Sequence, residues 1–260
     1  MLWKNINKDK TQKMKPFKDY FSKQAGHYQN YRPGYPVDMF TWLASLTGSH
    51  ELAWDCGTGN GQAAVGLTAY YKKIYATDPS EQQLTHAVTH KQITYRVEKA
   101  EETALAAASV DIVTVSQALH WFDFDRFYTE VNRVLKPDGI LAVWTYGMPA
   151  ISDAVDAVIR YFHDTILDGY WKPGNQLVAE KYRTIPFPFQ EIETPRFTIH
   201  KKLALKDLIG LLHSWSAVQR YQNKNGKNPI DEIETDLAMA WKRGGRLQAS
   251  EWEIHMRVGR

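Results

Sequence analysis

Short apolar runs alternate with longer stretches of helical periodicity from about residue 36 onward. Apolar runs of this length, bounded by polar residues and turn signals, predict buried strands. In the first half of the chain, strands are predicted at residues 52–54, 74–76, 93–97 and 140–144. A further strand is predicted to begin directly after residue 110. Because strands and helices in alternation form a parallel sheet covered on both faces, the pattern predicts an α/β fold.

Three helices are predicted in this first half. One begins at Pro36, since a proline at the first helical position loses no hydrogen bond. Another begins at Ser80, which has capping-box spacing to Gln83. A third ends at the turn signal of residues 137–139. The apolar stripes of the first and third helices consist of Val37, Phe40, Leu43 and Leu46, and of Phe124, Phe127, Val131, Val134 and Leu135.

The pattern becomes less regular beyond residue 148. Segments 171–175 and 185–189 indicate loops rather than helices or strands. A strand over 196–203, a helix over 205–221 and a half-exposed strand around 252–258 follow. We therefore predict an N-terminal lid or tail (1–35), an α/β core (36–147), an inserted cap (148–195) and a C-terminal part of the same α/β domain (196–260).

A glycine-rich turn follows the first predicted strand. Residues 55–61 read Asp-Cys-Gly-Thr-Gly-Asn-Gly, and Asp78 stands at the end of the next strand. Glycines let backbone N–H groups approach a ligand closely, and an acid at the neighbouring strand end can accept hydrogen bonds from both hydroxyls of a ribose. The two features together predict a site for a nucleoside cofactor.

The residues of the turn distinguish two cofactor classes. A dinucleotide site favours a third glycine where this chain has Gln62, and Asp55 would repel a pyrophosphate. S-adenosylmethionine (SAM) carries no phosphate, and its ammonium group would be attracted by a carboxylate beside the turn. We therefore favour SAM and keep an NAD-dependent oxidoreductase as the alternative.

These segments resemble the class I SAM-dependent methyltransferases. The turn is similar to the first motif of that family, Asp78-Pro79-Ser80 to its ribose-binding strand end, and residues 131–140 to its helix, turn and fifth strand. The resemblance spans most of the first 147 residues. It implies a Rossmann-like fold with a mostly parallel, seven-stranded sheet and helices on both faces.

The resemblance also implies which residues bind the cofactor. They are Tyr20, Tyr28 and Arg32 in the lid, Asp55, Cys56, Gly57, Thr58 and Gly59 in the turn, Asp78, Pro79 and Ser80 after the second strand, Ala100 and Glu101 beside the adenine, and Gln117 and Ala118 after the fourth strand. Two alternatives stay open: Asp55 capping the helix that follows it, and Glu102 taking the place of Glu101.

A narrower resemblance concerns the methyl acceptor. Segments 28–36, 118–123 and 214–218 resemble the trans-aconitate methyltransferase-like branch, whose members methylate small molecules, often carboxylates. It implies a small-molecule acceptor, a carboxylic acid, with His120 as a catalytic or acceptor-binding residue. The alternative for His120 is a purely structural histidine. Further candidates for contact with the acceptor are Trp121 and Arg220, and the other candidate cations are Arg32, Arg183 and Lys224.

The composition of the chain restricts which binding partners and which cellular compartment we expect for the protein. The 260 residues are 43% hydrophobic and carry a net charge of +3 from 32 basic and 29 acidic residues, so bulk charge does not predict a nucleic-acid partner. An RNA or protein methyltransferase and a non-catalytic SAM-binding module stay as alternatives. The single cysteine excludes an internal disulfide, and no metal site is expected. With no membrane-spanning run or signal peptide, we expect a cytoplasmic monomer or weak homodimer.

Overall fold

The predicted strands form one sheet in the computed structural model, which describes residues 34–242 and 244–260. In chain order the strands are β1 (Leu52–Cys56), β2 (Lys73–Asp78), β3 (Ile93–Val97), β4 (Val110–Ser116), β5 (Leu135–Tyr146), β6 (Glu191–Ile192), β7 (Phe197–Leu203) and β8 (Gln248–Gly259). The sheet order is β3-β2-β1-β4-β5-β8-β6, with β7 also paired to β8. Strands β1 to β5 are parallel, and β8 is antiparallel to β5, β6 and β7.

This arrangement confirms the predicted α/β fold and the mostly parallel sheet, but the sheet has eight strands rather than seven. The additional strand is β6, whose Ile192 pairs with Val258 of β8. A two-residue strand is too short to produce a periodic signal in the sequence. The order of the strands reverses at β1, which lies between β2 and β4, and open α/β sheets bind ligands at such a point.

The helices cover both faces of the sheet. The α-helices of the described ranges are α1 (Val37–Ser45), α2 (Gln62–Leu67), α3 (Glu81–Thr85), α4 (Phe124–Val134), α5 (Asp153–Tyr161), α6 (Pro173–Ala179), α7 (Leu205–His213), α8 (Ser216–Asn225) and α9 (Glu234–Lys242). A π-helical segment, Phe162–Ile166, continues α5, and 3-10 turns lie at Leu119–Trp121 and Pro229–Glu232. In this part of the chain we find no helix with the length and apolarity that a bilayer crossing requires.

The predicted helix starts agree closely with the structure. Helix α1 follows Pro36 directly, and Ser80 caps α3 by accepting a hydrogen bond from the Gln83 amide at 3.3 Å. One residue of the predicted α1 stripe is wrong, because Val37 is 73% exposed while Met39 and Phe40 are buried. Val37 belongs to the first turn of α1, outside the stretch that packs on the sheet.

Three predictions for the remaining segments need correction. The helix expected over 205–221 is two helices, separated at Ser214, whose hydroxyl donates to the Leu211 carbonyl at 2.6 Å, and at extended Trp215. The loop expected over 171–175 contains the start of α6, where Pro173 fits the first helical position. The turn predicted at 137–139 is an irregular segment within β5, between the pairs that Leu135 and Ile140 make with β4.

The core has two parts, one on each face of the sheet. On one face, Ala142 and Trp144 of β5 pack with α1, α2 and α5. On the other face, Leu141 and Val143 of the same strand pack with α4. This alternation is what a strand buried on both sides requires. Buried residues of segment 148–195 belong to both parts of the core, and the four-part division of the chain stays a prediction.

Candidate active site

The glycine turn between β1 and α2 has a backbone conformation that residues with a side chain rarely adopt. Gly57, Gly59 and Gly61 have φ values of 65°, 56° and 84°, in the region that favours glycine. A Cβ atom on Gly57 would lie 2.6 Å from the Cβ of Ala118, so the turn passes close to the end of β4. A Cβ on Gly59 would meet only the Gln83 side chain, at 3.9 Å. The turn therefore leaves open space in front of its backbone.

Asp78 connects the turn to the end of β2. Its carboxylate accepts hydrogen bonds from the Gly59 amide at 2.9 Å and from the Ser80 amide at 2.8 Å. The acid at the second strand end is therefore held beside the turn, as the spacing predicted.

A cavity of about 920 Å³ opens at the carboxyl ends of the central strands. The predicted cofactor residues that line it are Gly57, Thr58, Gly59, Asp78, Gln117 and Ala118. Gln117 is fixed by two hydrogen bonds: its Nε2 donates to the Tyr146 carbonyl at 2.8 Å, and its Oε1 accepts from Thr145 Oγ1 at 2.6 Å. Tyr35, which belongs to the predicted lid, also lines the cavity and is hydrogen-bonded to the Ser116 hydroxyl.

The cavity continues past His120 and Trp121, which both line it. His120 Nδ1 is hydrogen-bonded to the hydroxyl of buried Tyr182 at 2.7 Å, and the His120 and Trp121 rings lie 4.5 Å apart. The Lys172 ammonium lies 4.8 Å from the centre of the Trp121 ring. Helix α6 approaches this segment so closely that a Cβ on Gly174 would lie 2.8 Å from the His120 carbonyl oxygen.

The far wall of the cavity is aromatic and polar. Trp171 and Trp215 lie 5.6 Å apart, and both contact the ring of His163. His163 Nδ1 lies 2.6 Å from a carboxylate oxygen of Asp164. All four residues line the same cavity as the glycine turn, so one continuous cavity joins a nucleoside-type site to a chamber for a second molecule.

Comparisons with known proteins agree with this geometry. The family model for a methyltransferase domain matches residues 54–143. A protein of Dictyostelium discoideum named as a methyltransferase is 33% identical over 230 residues, which cover 87% of this chain and 88% of that protein. The chain belongs to the class I SAM-dependent methyltransferases.

Two further relatives support the assignment. A solved methyltransferase structure from Anaeromyxobacter dehalogenans has a TM-score of 0.82 and 39% identity, and the match covers 88% of this chain and 98% of that one. A Saccharomyces cerevisiae protein whose name specifies a SAM-dependent methyltransferase is 28% identical over 158 residues, 56% of this chain and 54% of that protein. SAM is therefore the cofactor, and the NAD-dependent oxidoreductase is excluded.

Asp55 of this methyltransferase lies beneath the turn rather than at the cavity wall. Its side chain is fully buried and accepts hydrogen bonds from Thr58 Oγ1 at 2.5 Å, from Thr114 Oγ1 at 2.8 Å and from the Ala64 backbone of α2. Burial raises its pKa to about 6, although these hydrogen bonds oppose the shift. The hydrogen bond from α2 agrees with the helix-capping alternative, and a contact between Asp55 and the cofactor stays a prediction.

Five other predicted cofactor residues do not line the cavity either: Cys56, Pro79, Ser80, Ala100 and Glu101. Glu101 accepts a hydrogen bond from the Asp123 amide at 2.9 Å, and Ala100 is in the core. Burial raises the pKa of the Cys56 thiol well above its usual value, and Cys56 packs in the same part of the core as Ala100. The predicted lid residues Tyr20, Tyr28 and Arg32 lie outside the described residues.

Three of the four predicted acceptor cations do not line the cavity, and the fourth, Arg32, lies outside the described residues. Arg220 is exposed on α8 and donates to the Tyr170 carbonyl at 3.1 Å, and Arg183 and Lys224 are also absent from the wall. Only their charge favours these residues, and charge does not indicate which side chains reach a cavity. The lysines that line the cavity are Lys172 and Lys181.

Two residues that line the cofactor end were missed by sequence reasoning. Asn60 and Gln83 are 3% and 5% exposed, and both line the cavity. Asn60 Nδ2 and Gln83 Oε1 have no hydrogen-bond partner in the described structure. A buried polar atom without a partner costs about 1–3 kcal/mol, so a ligand that supplies one acceptor and one donor fits here. The adenosyl group and amino-acid end of SAM carry both.

Proposed function

We propose that this SAM-dependent methyltransferase transfers the methyl group to a small-molecule carboxylic acid. The observation that carries the proposal is the position of Lys172. Its buried ammonium stands over Trp121 at the cavity wall, beyond the cofactor residues. A cation over an aromatic ring is stabilised by about 0.5–2 kcal/mol, and a buried cation favours an anionic ligand.

We propose that the cofactor lies along the glycine turn. The turn at Gly57 would face it. Asp78, which holds the Gly59 amide, would also accept hydrogen bonds from the ribose hydroxyls, and Asn60 and Gln83 would complete the polar contacts. Gln117 and Ala118 would contact the methionine part. When bound, SAM supplies an activated methyl group on a sulfonium, so the protein's task is to hold and align the acceptor.

A carboxylate acceptor suits a site that works by alignment. The carboxylate is already ionised at neutral pH, so no group of the protein has to remove a proton. Holding two reactants in line can contribute about 7–11 kcal/mol to the lowering of the barrier. Lys172 would neutralise the acid, and His120, oriented by Tyr182, would contact the acceptor beside the cofactor.

The size of the cavity supports a small acceptor. Pockets for drug-sized ligands measure about 300–1,000 Å³, and the cavity of about 920 Å³ is near the upper end of this range. A space of this kind suits SAM and one small molecule side by side. A polymer acceptor, RNA or protein, would instead need a long open surface. The cytosol stays the proposed compartment.

The test is transfer of labelled methyl groups from SAM to a panel of mono- and dicarboxylic acids. We expect a product that releases methanol in mild base, because a methyl ester is base-labile and a methyl ether or methylamine is not. Base-stable label on every accepted compound would contradict the carboxylic acid and leave the methyltransferase assignment intact.

A matched pair of variants tests the role of Lys172. Lys172→Met should lower kcat/KM for the acid by about 10- to 150-fold, since a charge-assisted hydrogen bond contributes about 1.5–3 kcal/mol. Lys224→Met is the control, because Lys224 also lies over an aromatic ring, Tyr170 at 5.3 Å, but outside the cavity. Equal effects of the two substitutions would contradict the proposed role.

A further inference from the structure

A histidine and an aspartate form a hydrogen-bonded pair at the far wall of the cavity. His163 Nδ1 lies 2.6 Å from Asp164 Oδ1. Because the Asp164 carboxylate accepts a hydrogen bond, Nδ1 is the donor in this pair, and Nε2 is the ring nitrogen that remains to accept a proton from a bound molecule. An aspartate that fixes the tautomer and orientation of an imidazole in this way is the arrangement found in general-base catalysis.

The surrounding structure holds this pair in place. Both residues belong to the π-helical segment that follows α5, and π-helical turns occur frequently at functional sites. Phe162, which is fully buried, anchors the segment and stacks on Trp215 with ring centres 6.1 Å apart. Trp171 donates from Nε1 to the His163 carbonyl at 3.1 Å, and its ring lies 4.5 Å from the His163 ring.

The pair belongs to the same chamber as the residues beside the cofactor. Trp171 contacts His163, and its neighbour Lys172 lies over Trp121. Apart from Asp78, the histidine, lysine and aspartate side chains that line the cavity are His120, His163, Asp164, Asp168, Lys172, Lys181 and His255. The indole rings of Trp171 and Trp215 add flat apolar surface, which suits an aromatic ring.

We propose that His163, positioned by Asp164, is a general base that lets the same cavity methylate a phenolic hydroxyl. This second activity rests on the proposed small-molecule cavity but not on the carboxylic acid. A phenol is protonated at neutral pH and is a weak nucleophile until its proton is removed. In the reaction, a bond forms between the phenolic oxygen and the methyl carbon while the methyl–sulfur bond breaks, and its electron pair stays on sulfur. The phenolic proton passes to His163 Nε2, and Asp164 stabilises the resulting imidazolium.

The experiment uses ring-substituted phenols of increasing acidity, from 4-methylphenol to 4-nitrophenol, with SAM in single-turnover reactions. Mass spectrometry detects the methyl aryl ether. The variants are His163→Gln and Asp164→Asn, and the control is His200→Gln. His200 is matched because it also lies beside a carboxylate, 3.3 Å from Glu251, but on β7 and away from the cavity.

The expected result depends on the acidity of the phenol. For 4-methylphenol at pH 7, His163→Gln should lower the rate by about 10²- to 10⁴-fold, the usual contribution of a general base, and Asp164→Asn should lower it less. For 4-nitrophenol, which ionises near neutral pH without help, the loss should be small. Raising the pH should also restore the variant with 4-methylphenol. Calorimetry with S-adenosylhomocysteine verifies that the cofactor site of each variant is folded.

Two results would overturn the inference: no transfer from the wild-type protein to any of the phenols, or an equal loss in His163→Gln along the whole series and at every pH. Its failure is distinguishable from that of the proposed function. If acids are methylated and phenols are not, only the inference falls. If phenols are methylated with the His163 dependence and acids are not, only the proposed acceptor class falls.

Discussion

Asp78 accepts a hydrogen bond from the Gly59 amide at 2.9 Å and so holds the glycine turn against the end of β2. The same carboxylate accepts from the Ser80 amide, two residues further along the chain. One side chain therefore positions both the turn after β1 and the start of α3, between which the ribose of SAM is proposed to lie.

Replacing Asp78 should weaken cofactor binding more than it weakens the fold. Asp78→Ala removes charge-assisted hydrogen bonds of about 1.5–3 kcal/mol, so the Kd for S-adenosylhomocysteine should rise by about 10- to 150-fold in calorimetry. Asp78→Asn should show an intermediate loss. The control is Glu81→Gln, because Glu81 is an exposed acid of the adjacent helix α3. An unchanged Kd in Asp78→Ala would contradict the ribose-binding role.

Gln83 offers a test in which stability and affinity change in opposite directions. Gln83→Met keeps the length of the side chain but removes the buried oxygen that has no partner in the described structure. Without ligand, the variant should be more stable by about 1–3 kcal/mol in urea unfolding, because that desolvation cost disappears. With S-adenosylhomocysteine, its Kd should rise by about 5- to 150-fold.

The control for Gln83 is its neighbour. Gln82→Met makes the same chemical change on the exposed side of α3 and should alter neither quantity appreciably. If Gln83→Met lowers the stability of the ligand-free protein and leaves cofactor affinity unchanged, Gln83 is a structural residue and the proposed contact is wrong.

Gly57 is constrained both by its backbone angle and by its neighbour. In Gly57→Ala, the new Cβ would lie 2.6 Å from the Ala118 Cβ, and φ would stay near 65°. The left-handed angle alone costs about 1–2 kcal/mol, and the contact forces the turn away from β4. We expect a lower Tm and at least a tenfold rise in the Kd for SAM.

Gly226→Ala separates the effect of the backbone angle from that of the close contact, because Gly226 has a φ of 67° and nothing within 4 Å of its Cβ position. Equal losses in both variants would show that close packing against β4 has no role.

Much of this site follows from local patterns in the sequence. The turn of residues 55–61, Asp78 and the exit of β4 could be predicted because each joins a buried strand to a polar or glycine-rich end. The order of parallel strands then brings these ends together at one edge of the sheet. The cap of α3 was predictable for the same reason, since Ser80 and Gln83 interact within one helical turn.

The acceptor end could not be predicted in this way. Lys172, His163 and Trp215 come from segments far apart in the chain, and each lines the cavity only because of tertiary packing. Charge favoured Arg220, yet Arg220 is exposed on α8 and does not line the cavity. The break between α7 and α8 was also missed, although it is what brings Ser214 and Trp215 to the wall, because apolar periodicity continues across it.

Asp55 should give the enzyme a distinctive dependence of stability on pH. Burial raises its pKa from the usual 3.8 to about 6, so between these values the native protein holds a proton that the unfolded chain releases. The free energy of unfolding should therefore fall as the pH rises from about 4 to about 6, by up to about 3 kcal/mol from this residue.

Asp55→Asn lacks the titrating group, so its free energy of unfolding should not show this decrease. Urea unfolding at pH 4, 5, 6 and 7 measures the free energy of unfolding of both proteins. The difference between variant and wild type should shift by about 3 kcal/mol in favour of the variant as the pH rises from 4 to 7. Asp125→Asn, at an exposed acid of α4, is the control and should give a nearly constant difference. A constant difference for Asp55→Asn as well would mean that Asp55 is ionised throughout, and the buried carboxylate would then have to be stabilised by more than Thr58, Thr114 and the start of α2.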